Sequence, residues 1–283
     1  LRVGEPMSKH TTLRIGGPAD AWLAPASVED ARAVVDWCAR ERIPVVAVGG
    51  GSNLLVRDGG IRGVVLATRS LARIARDDAN VVTVEAGVAT GKLLHCAMEW
   101  RLGGVEFLAG VPGTVGGGLV MNAGTSLGEF KDVTRTVESV RLRDGTAVSR
   151  GGAECGFGYR RSTLPAGEVV LVAKLALFAR PLDQIEADVR ALKERRAERE
   201  PRGLPNAGSI FKNPPGHFAG KLLEDAGLKG RRVGGAEVSS RHANWIVNAG
   251  DATASDFLAL VEIARTAVVE RFGVELELEL KIM

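Results

Sequence analysis

Val45-Val46-Ala47-Val48-Gly49-Gly50-Gly51-Ser52-Asn53-Leu54-Leu55 starts as an apolar run of strand length and breaks at once into three glycines. A short apolar run of this kind, following Pro44, reads as a buried strand that empties into a tight loop. Upstream, Ser27-Val28-Glu29-Asp30 is a capping box, and Ala31, Val34, Val35 and Cys38 recur behind it at helical spacing. Downstream, Gly63-Val64-Val65-Leu66 supplies another strand. Over about the first 70 residues helix and strand therefore alternate, which is α/β chemistry on a small scale.

Farther along, strands dominate. Val82 and Val84 alternate with polar residues, Val140-Arg141-Leu142 and Ala147-Val148 flank the hairpin signal Asp144-Gly145, and Val169 to Phe178 forms a long strand candidate. Asp183 is expected to cap a helix with Ile185, Val189 and Leu192 on one face, and Pro201, Gly203 and Pro205 mark a boundary after it. Thr253 and Asp256 then cap a helix carrying Phe257, Val261, Ala264 and Val268, which Gly273 stops. From Val274 to Ile282 strict alternation predicts a terminal strand with Leu276, Leu278 and Leu280 on one face and Glu275, Glu277 and Glu279 on the other. The expected organisation is three parts, 1–69, 70–199 and 200–283.

Composition removes several function classes. The 283 residues suit about two domains. Thirty-seven Lys and Arg against 34 Asp and Glu leave a net charge of only +3, and the basic residues are interleaved with acidic ones, as in Lys193 to Glu200. Four Trp, one Tyr and eight Phe give no stacking platform, so nucleic acid is not an expected partner. Phe107 to Gly128 carries no charge, yet seven glycines and Pro112 make it a buried, loop-rich segment instead of a membrane span. Cys38, Cys96 and Cys155 lie far apart and the four histidines form no metal-spaced pair, so a reducing compartment without structural zinc is expected. No signal peptide opens the chain, and because it starts at Leu1, further residues are expected to precede it.

The one excess is glycine, 36 residues, nearly twice the roughly 7% average. A second glycine segment, Gly110-Val111-Pro112-Gly113-Thr114-Val115-Gly116-Gly117-Gly118, runs into Met121-Asn122-Ala123-Gly124. Successive residues without Cβ let backbone N–H groups converge on an anion, and Ser52, Asn53, Thr114 and Asn122 add side-chain donors for a diphosphate. Two such loops suit a dinucleotide; either one alone is as readily a packing turn. Neither is a G-x-G-x-x-G between strand and helix, and Gly87 to Lys92 is one residue too short for a P-loop.

His10-Thr11-Thr12-Leu13-Arg14-Ile15-Gly16-Gly17-Pro18-Ala19-Asp20, the two glycine loops, Gly158-Tyr159-Arg160-Arg161-Ser162, Asn206-Ala207-Gly208-Ser209-Ile210-Phe211-Lys212-Asn213-Pro214 and Leu276-Glu277-Leu278-Glu279-Leu280-Lys281 follow one another in that order. The set, spanning essentially the whole chain, resembles the UDP-N-acetylenolpyruvoylglucosamine reductase family of bacterial peptidoglycan precursor synthesis. The resemblance implies an α+β architecture: a two-subdomain FAD-binding fold of the vanillyl-alcohol oxidase type followed by a substrate domain. It implies non-covalent FAD, held by Gly49, Gly50, Gly51, Ser52, Asn53, Gly113, Thr114, Gly116, Gly117 and Asn122. It also implies NADPH as reductant, a sugar-nucleotide substrate and a cytoplasmic setting. In that family hydride passes from NADPH through flavin to an enol ether, and negative charge spreads into the neighbouring carboxylate. Arg160 matches the arginine that grips this carboxylate, Ser209 the serine that returns a proton, and Glu279 the glutamate that works beside the arginine. Tyr159, Lys212 and Asn213 match weaker substrate contacts.

The chain departs from the usual pattern at Thr125-Ser126 and Gly118, and no aromatic lies between Ala179 and Pro205. The tyrosine-bearing loop of longer relatives is thus absent, which leaves Lys229, Arg231 or Arg232 as candidates to clamp the substrate diphosphate. An oxidase of the same flavin fold and a non-catalytic nucleotide sensor are the competing readings. The first offers no place for the Asn-Ala-Gly-Ser motif, and the second does not need Arg160, Ser209 and Glu279 together.

Overall fold

The computed structural model describes every residue except Pro165, Ala166 and Arg202. The chain divides into two compact units, each discontinuous. The first gathers residues 1–3, 21–50 and 62–196, the second residues 4–20, 51–61 and 197–283.

In the first unit, helix α1 (Val28–Arg40) starts where the Ser27 hydroxyl accepts a bond from the Asp30 N–H at 3.0 Å. Glu29 and Asp30 in its first turn complement the helix dipole. Its Val28, Ala31 and Val35 pack with Leu66, Val140, Val169 and Leu171. Strand Val45–Val48 follows and pairs in parallel with Ile61–Ala67, in the register Val45 to Val64 through Val48 to Ala67. A parallel partner cannot be reached by a tight turn, so the chain must leave the sheet at Gly49, the carboxyl end of the strand. Open α/β sheets place ligands at such ends.

A five-stranded antiparallel sheet holds Ala147–Gly151, Thr134–Arg141, Glu168–Ala176, Val81–Glu85 and Ile74–Arg76 in that order. Val140 opposes Ala147, so the Asp144-Gly145 hairpin forms as its residues predict. Helices α2 (Thr90–Glu99), α3 (Val115–Met121), α4 (Phe130–Val133) and α5 (Leu182–Arg199) complete the elements around the main core. Leu93, Leu119, Phe130, Ile185, Val189 and Leu192 are buried there with Val82, Val84 and Leu175 of the sheet. Helix α5 begins at Leu182, and the Ile185 N–H donates to Pro181 O. Asp183 therefore lies in the first turn instead of capping it. Within the sheet, Arg150 donates to both carboxylate oxygens of Glu168, which also accepts from the Ser139 hydroxyl. That guanidinium holds the Glu168 carboxyl below its ordinary range against the opposing pull of burial.

The second unit sets α6 (Ala219–Asp225) and α7 (Ala254–Phe272) against an antiparallel sheet of Arg232–Val233, Ala236–Val238 and Ile246–Asn248. Thr253 and Asp256 form the expected reciprocal cap of α7, and Gly273, at φ +66°, ends it. Asp58 adds a cap from far away in sequence, its carboxylate accepting from the Ala254 and Ser255 N–H groups at 2.8 and 3.0 Å.

The long terminal strand does not form. Only Lys281–Ile282 is strand, parallel to Leu54–Leu55, while Leu278 makes an isolated bridge to Phe211. The segment changes partner between these two contacts, so no continuous ladder imposes the alternation. Leu276 and Leu280 are buried, Leu278 only partly, and Glu279 is half-buried while Glu275 and Glu277 are exposed.

Candidate active site

The first unit brings the two glycine loops together. A Cβ at Gly49 would stand 2.3 Å from Thr114 Oγ1, and one at Gly50 would stand 2.9 Å from Gly113 Cα. Neither position admits a side chain. The remaining glycines separate by cause. A Cβ at Gly116 would stand 2.8 Å from Ala86 Cβ and one at Gly118 would collide with the Phe130 ring, so helix packing alone requires both. Gly117 is exposed, and a Cβ there would meet only Thr114 Oγ1 at an ordinary 3.6 Å.

Packing therefore leaves a cradle of Gly49, Gly50, Gly113, Thr114 and Gly117 with Thr114 at its centre. The Thr114 hydroxyl is buried and has no hydrogen-bond partner among the described residues. The N–H groups of Gly49 and Gly50 also meet no acceptor among them. Buried polar groups are seldom left so. Side-chain-free backbone around orphaned donors fits the diphosphate of FAD.

Asn122 ends α3 in the left-handed region at φ +43° and is fully buried. Its amide donates to Gly158 O and accepts from the Lys131 N–H. Gly158 opens a tight turn, closed by reciprocal backbone bonds with Arg161, that carries Tyr159 and Arg160 at its tip. Arg160 is half-buried at φ +53°, donates from Nη2 to Gly124 O at 2.9 Å, and lies 5.1 Å from the centre of the half-exposed Tyr159 ring.

The second unit holds the rest of the first glycine loop. Gly51, at φ +63°, lies against His10 O, and its carbonyl accepts from the Thr12 N–H. Asn53 donates its amide to Glu279 O at 3.0 Å and accepts from the Lys281 N–H, so this loop pins the C-terminal segment. Ser52 beside it is half-buried.

The same unit brings Ser209 and Glu279 onto neighbouring segments. The Glu279 N–H donates to Ile210 O at 2.8 Å and the Lys212 N–H to Glu277 O at 2.9 Å, an antiparallel pairing centred on Phe211 and Leu278. Ser209 is half-buried, its hydroxyl bonds to no group among the described residues, and it lines a cleft of about 440 Å³ with Asn213, Phe218, Lys221, His242 and Asn244. Asn213 accepts from the Ala219 N–H at the start of α6, and Lys212 pairs with Glu277 at 2.5 Å. The cations that line this cleft are Arg199, Lys221 and Arg241. Lys229 instead pairs with Glu224, Arg232 pairs with Glu237, and Arg231 is exposed.

Sequence reasoning missed Asn244 and His242. The buried Asn244 amide accepts from the Phe211 N–H at 2.9 Å and donates to Phe211 O at 2.8 Å, which fixes the backbone two residues beyond Ser209. The Asn244 N–H in turn donates to His242 Nδ1 at 3.2 Å. Burial, and then the Lys229 ammonium, pushes the His242 imidazole below its ordinary 6.5. Both side-chain bonds of Asn244 go to Phe211, 33 residues away in sequence, so no local signal announces them. Among the described residues no cluster of His, Cys, Asp and Glu could hold a metal ion, and no helix is long and apolar enough to cross a membrane.

Residues 200–283 match the UDP-N-acetylenolpyruvoylglucosamine reductase C-terminal domain family, and residues 19–150 match the FAD-binding domain family. The UDP-N-acetylenolpyruvoylglucosamine reductase of Geobacter sulfurreducens is 44% identical over 98% of this chain and 92% of its own length. UDP-N-acetylenolpyruvoylglucosamine reductase 2 of Symbiobacterium thermophilum is 46% identical over 100% and 92%. The crystal structure of the Thermus caldophilus UDP-N-acetylenolpyruvylglucosamine reductase superposes with a TM-score of 0.84 at 37% identity, covering 98% of this chain and 97% of that one. With an FAD-binding domain whose cradle suits a dinucleotide and a C-terminal domain that matches the family's own over residues 200–283, the chain belongs to the UDP-N-acetylenolpyruvoylglucosamine reductase family.

Proposed function

We propose that this chain reduces the enolpyruvyl group of UDP-N-acetylglucosamine enolpyruvate to give UDP-N-acetylmuramate, a precursor of peptidoglycan, with NADPH as reductant and FAD as bound cofactor. The observation that carries this reading to particular residues is the pairing of the Ser209 segment with the Glu279 segment. Reducing an enol ether adds a hydride to one carbon and a proton to its neighbour, with negative charge in the adjoining carboxylate between the two events. The chemistry that bound FAD would supply is the relay of hydride between NADPH and the enol ether.

The residues of the chain supply the rest. Gly49, Gly50, Gly113, Thr114 and Gly117 offer the diphosphate backbone without side chains and one unspent hydroxyl, with Gly51, Ser52, Asn53 and Gly116 continuing or bracing the two loops. Arg160 presents a guanidinium fork that holds a carboxylate and stabilises charge gathering there. Ser209 carries a hydroxyl with no partner among the described residues, which suits a proton donor. Glu279, half-buried on the segment that pairs with the one following Ser209, is an acid suited to hydrogen-bonding a substrate carboxylate. Lys212, Asn213 and Tyr159 are substrate contacts in this reading. Arg199, Lys221 and Arg241 place positive charge on the Ser209 cleft, where a sugar nucleotide needs it. Free Cys38, Cys96 and Cys155 suit a reducing cytoplasm.

Steady-state NADPH oxidation tests the proposal. The wild type should consume NADPH steadily only when the enolpyruvyl sugar nucleotide is present, and Arg160→Met should abolish that substrate-dependent consumption. Wild-type NADPH consumption indifferent to the sugar nucleotide contradicts it.

A further inference from the structure

Three side-chain hydrogen bonds join the end of α3 to the turn that carries Arg160. The Ser162 hydroxyl donates to Val120 O at 2.9 Å, Asn122 Nδ2 donates to Gly158 O at 3.0 Å, and Arg160 Nη2 donates to Gly124 O at 2.9 Å. They tie positions 120, 122 and 124 to 162, 158 and 160 respectively, and of the three side chains only that of Asn122 is fully buried. Asn122 has no exposed surface, and both ends of its amide meet backbone, with Oδ1 accepting from the Lys131 N–H at 2.9 Å.

Arg160 needs such support. Its φ of +53° puts an L-residue in the left-handed region, a strained conformation that persists only where the surroundings over-determine it. The Asn122 bond lands on Gly158, the first residue of that turn, and so fixes the backbone from which the guanidinium departs. The helix between them begins at Val115, directly after Thr114 of the glycine cradle, so one short rigid element links cradle and arginine.

We infer that Asn122 is a positioning residue for Arg160 and acts through the Gly158 carbonyl instead of touching the cofactor. The inference rests on the reading of Arg160 as the group that holds the substrate carboxylate. A misplacement of about 1 Å at a catalytic group costs on the order of 10²-fold in rate. Loosening the turn therefore slows the step that uses Arg160 and leaves alone the step that does not.

The test uses the holoenzyme and follows flavin absorbance in two half-reactions, reduction by NADPH and reoxidation by the enolpyruvyl sugar nucleotide. Asn122→Gly keeps the left-handed backbone and deletes both amide bonds. It should retain flavin and reduction rate while reoxidation slows on the order of 10- to 100-fold. Combined with Arg160→Ala, it should be no slower than Arg160→Ala alone. Asn122→Asp keeps the Oδ1 acceptor but turns a second oxygen toward Gly158 O, so only its protonated form can donate there. Its reoxidation rate should recover as pH falls, where the wild type shows no such gain. Loss of flavin, equal slowing of both half-reactions, or unchanged reoxidation overturns the inference. If Asn122→Gly does not fold, a flat pH profile for Asn122→Asp overturns it alone. If Arg160→Ala reoxidises at the wild-type rate, the reading of Arg160 fails as well; if Arg160→Ala is slowed while Asn122→Gly reoxidises at the wild-type rate, only the positioning role fails.

Discussion

Replacing Thr114 by Val should move two properties in opposite directions. The Thr114 hydroxyl is buried and unpartnered among the described residues, pressed toward the space a Gly49 side chain would fill. A buried hydroxyl left unsatisfied costs about 1–3 kcal/mol. Val keeps the branched shape and removes that cost, so flavin-free protein should gain up to that amount. At ~2–4 °C per kcal/mol for a chain of this size, the melting temperature should rise by several degrees. Binding of FAD should weaken, because a hydrogen bond to a charged group is worth roughly 1.5–3 kcal/mol, or about 10- to 150-fold in Kd. Thermal melting of the stripped protein and a fluorescence titration with FAD measure the two effects. If Thr114→Val binds FAD as tightly as the wild type, the hydroxyl is not a cofactor donor and the cradle argument is refuted. If both stability and affinity fall, Thr114 is a packing residue.

Ser209→Ala should leave flavin reduction by NADPH intact and slow reoxidation by the enolpyruvyl substrate by ~10²–10⁴-fold, the usual worth of a general acid; equal slowing of both half-reactions would make it a structural turn residue. Glu279→Gln should impair the same step, whereas Glu275→Gln, at an exposed position away from the Ser209 pairing, should behave as wild type; the reverse ranking sinks the assignment of Glu279. Stability should also fall on mild acidification. With the His242 imidazole held below its ordinary 6.5 by burial, the unfolded chain binds the proton more readily. This contribution is full above the unfolded value and is lost as pH drops toward the folded one. His242→Asn, which preserves an acceptor for the Asn244 N–H, should flatten the melting temperature between about pH 7 and pH 5 relative to wild type; an unchanged slope assigns the acid sensitivity elsewhere.

What could be read in advance divides along the range of the interactions. Ser27, the Thr253 and Asp256 pair and Gly273 act on backbone within four residues, so their caps are written locally and appear as expected. The strand Val45–Val48 is legible from its own apolar run, whereas its parallel pairing with Ile61–Ala67, 19 residues on, is not. The terminal strand misleads because alternation reports one continuous neighbour, while the real segment has two, Phe211 at Leu278 and Leu54–Leu55 at Lys281–Ile282. The bonds of Asn122, Asn244 and Asp58 are not legible in the sequence, which marks Asn122 only as a diphosphate donor, because the Gly158, Phe211 and Ala254 they bind lie 36, 33 and 196 residues away. The glycine cluster on α3 shows the same limit in another form. Gly116, Gly117 and Gly118 look alike in sequence, yet only their neighbours Ala86 and Phe130 reveal which two serve packing.

In the proposed reaction this chain carries hydride from NADPH to an enolpyruvyl sugar nucleotide by way of its own bound flavin. The most direct measurement is an anaerobic single turnover of the purified yellow protein followed by absorbance. One equivalent of NADPH should bleach the flavin band, and one equivalent of UDP-N-acetylglucosamine enolpyruvate, added next, should restore it with formation of UDP-N-acetylmuramate. A flavin that NADPH bleaches and only dioxygen restores, with the sugar nucleotide recovered unchanged, would contradict the account.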